Sequence, residues 1–180
     1  MIVTDSSEID AQIDVVNASA QKAVGELREL CRLAPMEMLW RVKFKEIGFH
    51  PIEDRRINLI EQLNQTWTYV AALEAARILL VKHPTSGAMS LAPGAHFSQP
   101  LDIMSGDGKV GAEVFAVVDP KSNEKLKRDR AKLASKTRDD LKLYIFFMSP
   151  RRFPMTGKLP EKHQIPGMEA WSLAKPIWME

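Results

Sequence analysis

The sequence predicts an α/β fold in which a mixed β-sheet is flanked by helices and preceded by an N-terminal helical extension. Three observations support this fold class. Two long segments, 6–33 and 54–82, repeat apolar residues at helical spacing. An Asp-Gly pair at 107–108 separates two apolar segments, which is typical of a β-hairpin. The run 143–148 is apolar throughout, as expected for a strand covered on both faces.

The composition is that of one globular domain. The chain has 180 residues, 45% of them hydrophobic, and a net charge of +2. Cys31 is the only cysteine, so an internal disulfide is excluded, and neither a secretory signal nor a membrane-spanning apolar stretch is visible. We therefore expect a cytoplasmic protein with a helical region at 1–48 and an α/β core at 49–180.

The first 82 residues predict three helices. The first covers 6–33 with Ser6 or Ser7 as its cap, the second covers 35–45, and the third covers 54–82. The third helix is expected to bury a stripe of apolar side chains, namely Ile57, Ile60, Leu63, Trp67, Val70, Ile78 and Val81.

The second half of the chain predicts mainly strands. In order we expect a short strand at 88–91, hairpin strands at 100–104 and 110–118, a basic helix at 122–135, a strand at 143–148, a loop at 149–167 and a last strand at 168–173.

The predicted hairpin brings two carboxylates together. If Asp107 and Gly108 form a two-residue type I′ turn, Asp102 lies directly opposite Glu113, with Cβ atoms about 5 Å apart. Like charges at opposed positions are destabilising, and a carboxylate among apolar neighbours is costly to desolvate. Because a divalent cation would remove both costs, the hairpin is the predicted functional site.

A basic segment follows the hairpin. Between 121 and 152 there are eleven lysines and arginines against four acidic residues. This distribution beside an acidic pair fits a polyanionic substrate better than a small neutral one, although a solvated basic helix explains the charge equally well.

Pro100-Leu101-Asp102, followed by Glu113 on the next strand, resembles the PD-(D/E)XK nuclease superfamily, which has the restriction-endonuclease-like fold. The resemblance covers residues 55–148, and the segments 64–66, 101–103 and 112–116 look like a group of bacterial restriction-enzyme-like proteins. It implies a type II restriction-enzyme-like endonuclease that hydrolyses phosphodiester bonds of double-stranded DNA with Mg²⁺, or Mn²⁺, held by Asp102 and Glu113. It also implies a homodimer, for which the first helix and the Trp40 helix could supply an interface, and it raises the question of a cognate methyltransferase.

The resemblance has one departure, because the position of the motif lysine is occupied by Phe115. Lys125, in the first turn of the following helix, is the expected substitute, with Lys121 as second choice. Glu61 is the expected third metal ligand, with Glu74 as the alternative. The residues expected to bind DNA are Lys121, Asn123, Lys127, Arg128, Arg151 and Arg152.

Two other functions stay open. Without a lysine near the carboxylates, the domain would be a non-catalytic module that binds DNA or a protein. A helical interaction protein with an incidental hairpin is the third interpretation. In these cases Asp102 would cap a strand, and Glu113 would form a structural ion pair with Lys125.

Overall fold

The computed structural model describes residues 1–93, 99–118, 140–164 and 166–174 and shows an α/β fold. Its helices are α1 (Ser6–Leu30), α2 (Pro35–Phe44) and α3 (Leu59–Lys82). Its strands are β1 (Ile2–Val3), β2 (Gly48–Phe49), β3 (Arg56–Ile57), β4 (Met89–Leu91), β5 (Ile103–Ser105), β6 (Val110–Ala116), β7 (Lys142–Met148), β8 (Gly157–Lys158) and β9 (Glu169–Leu173). A short 3₁₀ helix covers Glu161–His163.

The main sheet is mixed and has seven strands in the order β1-β4-β5-β6-β7-β9-β8. The pairs β6–β7 and β7–β9 are parallel, whereas all other neighbours are antiparallel. Strands β2 and β3 form a separate two-stranded sheet. The predicted class of a mixed sheet with flanking helices is therefore confirmed.

The sheet has two faces with different coverings. On one, Val110, Ala112 and Val114 of β6 pack in the same core as residues of α1 and α3, and we call this the helix face. On the other, Phe115 and its neighbours pack against residues of the loop after β7, and we call this the loop face. Alternation along β6 places Glu113 on the loop face together with Phe115.

The three predicted helices exist, but the cap of the first and the start of the third differ from expectation. The cap of α1 is Asp5 rather than a serine, because the Asp5 side chain accepts hydrogen bonds from the backbone N–H groups of Ser7 and Glu8. The Ser7 hydroxyl also donates to that carboxylate, and these bonds hold the pKa of Asp5 below its usual value. Helix α3 begins at Leu59 rather than at 54, since Asn58 caps it from the end of β3.

The predicted buried stripe of α3 is wrong at three positions, because Ile60, Leu63 and Val81 are exposed. The helix instead buries a run in its second half that consists of Tyr69, Val70, Ala71, Ala72, Leu73, Ala75, Ala76 and Leu79. The small alanine side chains allow the helix to lie close to the sheet, so the side of α3 that carries them faces the sheet.

A buried polar group joins the helical region to the rest of the fold. Gln62 of α3 donates to the Ser19 carbonyl and hydroxyl of α1 at 3.2 Å and accepts the Phe49 N–H of β2 at 2.7 Å. A Cβ at Gly48 would lie 2.8 Å from the Gln62 Oε1 and 3.0 Å from the Ile57 carbonyl oxygen, so a side chain there would crowd this contact. The network fixes α1, β2 and α3 relative to one another.

In the second half, the central strand is confirmed, since residues 143–148 are all buried in β7. The strands predicted at 88–91 and 168–173 correspond to β4 and β9. The basic helix expected at 122–135 lies outside the described residues. Within the described part of the chain, no helix is long and apolar enough to cross a membrane.

Candidate functional site

The hairpin of β5 and β6 has the predicted register. Ile103 pairs with Ala112 and Met104 pairs with Gly111. Extending this register by one residue places Asp102 opposite Glu113. Both carboxylates are buried, with Asp102 6% exposed and Glu113 2% exposed.

The turn of the hairpin differs from the predicted type I′ turn. The Gly108 N–H donates to the Ser105 carbonyl at 3.0 Å, so the closing hydrogen bond spans 105–108. Gly108 then has a φ of 69°, where glycine is favoured. Asp107 accepts hydrogen bonds from the Ser105 hydroxyl and the Lys109 N–H, which hold the pKa of its carboxyl below the usual value. Asp107 therefore serves the turn and not the carboxylate pair.

Asp102 is bound to the backbone of β6. Its Oδ2 accepts the Val114 N–H at 2.9 Å, directly beside Glu113. Strand β5 begins only at Ile103, so the Asp102 side chain supplies the acceptor that the backbone of a longer strand would have offered. The bond holds the Asp102 carboxylate at the residue that follows Glu113 and gives Asp102 a structural role.

Gln99 was not predicted and holds the chain on the other side of Asp102. Its Nε2 donates to the carbonyls of Leu101 at 2.8 Å, Asp102 at 3.1 Å and Ser90 at 3.2 Å. Its Oε1 accepts the Ser90 hydroxyl at 2.9 Å. The Asp102 carbonyl also accepts the Ala92 N–H at 2.8 Å, so the backbone that carries the carboxylate is held from β4.

Glu113 lies in the middle of β6, among apolar side chains of the loop face. Its partner in β7 is Ile145, which is fully buried. Phe115, two residues on, stacks on Phe147 with ring centroids 5.7 Å apart, as expected if it shares the face of Glu113. A buried carboxylate in the middle of a strand is uncommon, and this sets Glu113 apart from the other residues of β6.

A close approach of two chain segments shapes the same region. Gly111 faces Leu101 so closely that an added Cβ would overlap the Leu101 Cδ1, and it would also lie 3.2 Å from the Met104 Sδ. Leu101 is buried and directly precedes Asp102. The absence of a side chain at Gly111 therefore lets the Asp102 segment lie against β6.

Glu61, the predicted third ligand, lies in the first turn of α3. Helix α3 packs on the helix face, whereas Glu113 points to the loop face. Glu74, the alternative, pairs with Arg77 of its own helix at 3.4 Å. Among the described residues, no group of three or more His, Cys, Asp or Glu side chains could hold a metal ion.

The predicted basic residues divide into two groups. Lys121, Asn123, Lys125, Lys127 and Arg128 lie outside the described residues. Arg151 and Arg152 are exposed in the loop after β7, and the neighbouring Phe153 packs edge-on against Phe147 at 5.2 Å. The arginine pair thus follows the carboxyl end of the strand that runs parallel to β6.

A second polar cluster lies away from the carboxylates, on the helix face. The His83 Nε2 is 2.8 Å from the Tyr144 hydroxyl, and the Lys82 and Lys158 ammonium groups lie 3.7 and 3.2 Å from Glu169. Burial lowers the pKa of His83 and raises the pKa of Tyr144 to about 12. The cluster joins the end of α3 to β7, β8 and β9.

Comparisons with protein-family models, with curated proteins and with solved structures give no match to this chain.

Proposed function

We propose that this chain is a metal-dependent endonuclease of the restriction-endonuclease-like fold that cuts double-stranded DNA, with Asp102 and Glu113 as ligands of Mg²⁺ or Mn²⁺. One observation carries the proposal. Asp102 directly precedes β5 and accepts the Val114 N–H beside Glu113, and both carboxylates are buried. A cation bound by both carboxylates would offset their mutual repulsion and part of the cost of desolvating them.

The donor set suits a small hard cation. Mg²⁺ in proteins is commonly held by one or two carboxylates and completed by water and substrate phosphate oxygens, so a third acidic side chain is not needed. When bound, the ion would supply Lewis-acid stabilisation and a water of lowered pKa for phosphodiester hydrolysis. The residues that hold it would be Asp102 and Glu113.

The rest of the chain would position the carboxylates and the DNA. The Val114 N–H and the Gln99 side chain fix Asp102, and Glu113 is held within the paired strand β6. Exposed Arg151 and Arg152 would contact the phosphate backbone. Lys125 is the residue that we propose to neutralise negative charge on the phosphate, and Lys121 is the alternative.

A non-catalytic DNA-binding module is the second candidate, and two observations favour it. Phe115 stands where the family motif has lysine and is packed into the apolar loop face. Asp102 already has a structural partner in the Val114 N–H, so its retention is explained without a metal. This candidate would shift DNA on a gel and leave it intact.

The test is nicking of supercoiled plasmid by purified protein in Mg²⁺, Mn²⁺ or EDTA, with a gel-shift assay on the same DNA. We expect open-circular and linear products with either ion and none in EDTA. A protein that shifts DNA but leaves a range of plasmids uncut with both ions is a binding module. A protein that neither shifts nor cuts DNA contradicts both candidates.

Gln99→Ala is expected to lower the nicking rate by about tenfold to a hundredfold, because removing a group that orients a metal ligand has effects of this size. The loss should be larger at low than at saturating Mg²⁺, since the substitution loosens the ligand and leaves its chemistry intact. Nicking rates over a Mg²⁺ titration measure this. Thr68→Ala, which removes a hydroxyl that donates within α3, is the control and should leave the titration unchanged.

A further inference from the structure

The polar cluster at the end of α3 is joined to the sheet through one buried hydroxyl group. Tyr144 of β7 is buried, and its hydroxyl lies 2.8 Å from the Nε2 of His83, the residue at the C-terminal cap of α3. The two rings also meet edge to face, with centroids 5.6 Å apart. On its other side the hydroxyl lies 3.5 Å from the Oε1 of Glu169 in β9, which is the outer limit of a hydrogen bond. The end of the helix therefore contacts the sheet through a ring that can titrate.

Charged side chains from the neighbouring elements surround this contact. They are Lys82 of α3, Lys142 of β7, Lys158 of β8, Glu169 of β9 and Asp107 in the hairpin turn. Burial has the largest effect and lowers the pKa of His83, and the ammonium groups of Lys142 and Lys82 lower this pKa further. The carboxylates of Glu169 and Asp107 act in the opposite direction but do not outweigh burial. The contact with Tyr144 is therefore made by a neutral imidazole at neutral pH.

Protonation of the imidazole would reverse this hydrogen bond. A neutral imidazole can accept the Tyr144 hydroxyl proton at Nε2, whereas an imidazolium carries a proton on that nitrogen and can only donate. Burial raises the pKa of Tyr144 to about 12, so the hydroxyl keeps its proton. Desolvation acts to raise the pKa of Glu169, but the hydrogen bond from Lys158 and the charge of Lys82 lower it, so the carboxylate stays charged. His83 is thus the member of this trio that changes charge as the pH falls from neutrality.

We propose that His83, Tyr144 and Glu169 form a proton-controlled latch, which holds the end of α3 on the sheet while the imidazole is neutral and releases it when the imidazole is charged. The direction follows from linkage. The pKa of His83 in the docked state is below 6.5, the value of an exposed imidazole, so the released state binds the proton more tightly. The docked state is therefore fully favoured above that value and loses population as the pH falls through the lower pKa.

The segment after α3 connects the latch to the hairpin turn. The Ser86 N–H donates to the His83 carbonyl at 3.1 Å, and the Ser86 carbonyl accepts the Asp107 N–H at 3.2 Å. Ser86 is buried between them. Release of the helix end would therefore also loosen the turn between β5 and β6. The latch uses neither Asp102 nor Glu113, so it stands whether or not the chain cuts DNA.

Hydrogen exchange of the full chain, measured by NMR between about pH 7.5 and about pH 5, tests the latch. We expect the protection factor of the His83 amide, which donates to the Leu79 carbonyl at 2.8 Å, to fall as the pH is lowered. The His83 ring signals should titrate with a midpoint below 6.5. The Asp107 amide should lose protection over the same pH range. The Met38 amide of α2, which donates to the Ala34 carbonyl, is the internal control and should not.

Three glutamine variants complete the design. In His83→Gln the amide can still bond the Tyr144 hydroxyl but does not titrate, so the end of α3 should keep its protection over the whole pH range. His163→Gln, at an exposed position of the 3₁₀ helix, is the matched control and should lose protection like the unmodified chain. Glu169→Gln should move the His83 midpoint to lower pH, because the carboxylate favours the charged ring.

Circular dichroism of each variant checks that the helices are retained. Protection of the His83 amide that does not change with pH would overturn the proposal. The same holds for an equal loss of protection in His83→Gln and in the unmodified chain, or for an unchanged His83 midpoint in Glu169→Gln.

Discussion

Glu113→Gln is expected to reduce metal-dependent plasmid nicking by about a hundredfold or more, which corresponds to the several kcal/mol that a bound metal contributes to such a reaction. Glutamine has nearly the same shape, so it fits the buried position between β5 and β7 without repacking. It lacks the charge and the second carboxylate oxygen that a divalent cation requires. The nicking rate with saturating Mg²⁺ measures the loss.

Asp102→Asn should have an effect of similar size and separates the two roles of this residue. The asparagine oxygen can still accept the Val114 N–H, so the structural bond survives while the negative charge is lost. If Asp102 only caps the end of the strand, the variant will nick DNA at the normal rate. Asp14→Asn, at an exposed position of α1, is the matched control and should be fully active.

Metal binding should also be visible in the stability of the unmodified chain. A ligand that binds only the folded state at a concentration of 100 times its dissociation constant stabilises it by about 2.7 kcal/mol. For a domain of this size that is a rise in Tm of roughly 5–10 °C. Neither carboxylate variant should show the rise with Mg²⁺, and a rise that persists in both would contradict the proposed ligands.

Gly111→Ala is expected to lower the free energy of unfolding by about 1–3 kcal/mol, the range for overpacking a dense core. The new methyl group overlaps Leu101, which is buried and cannot move away without displacing the Asp102 segment. Urea unfolding measures the change. Gly25→Ala is the matched control, because nothing lies within 4 Å of the added Cβ and the position is an exposed part of α1. That substitution should stabilise the protein by roughly 0.5–1 kcal/mol.

Combining Gly111→Ala with Leu101→Ala tests the cause of the loss. The shorter side chain makes room for the methyl group, so the double variant should lose less stability than the sum of the two single losses. Additive losses would show that Gly111 is needed for another reason, such as its backbone conformation.

The hairpin could be predicted from the sequence because its determinants are local. A Gly-Asp-Gly turn between apolar segments fixes which residues face each other, and the pairing of Ile103 with Ala112 follows. Strand β7 could be predicted equally well from its apolar run, since six consecutive residues that are all buried leave few alternatives to a strand covered on both faces. The detailed turn type was missed because the Asp107 carboxylate accepts the Lys109 N–H and the Ser105 hydroxyl accepts the Val110 N–H, so side chains replace backbone acceptors in the turn.

The features that could not be predicted depend on distant contacts. Strands β1 and β8 are two residues long and exist only because a partner from elsewhere in the chain pairs with them. The side of the sheet on which α3 packs decides whether Glu61 can approach Glu113, and helical periodicity alone does not contain that information. The role of Gln99 depends in the same way on the pairing of β4 with β5, which brings Ser90 close to Asp102.

Strand β6 pairs with one strand that is close to it in the sequence and with one that is far from it, and this has a consequence for the order of folding. Its antiparallel neighbour β5 is reached through a short turn, so that side of the strand can pair early. Its parallel neighbour β7 begins at Lys142, so pairing on that side joins residues much farther apart in the sequence. We therefore expect the segments that carry Asp102 and Glu113 to come together before β7 completes the apolar wall beside Glu113.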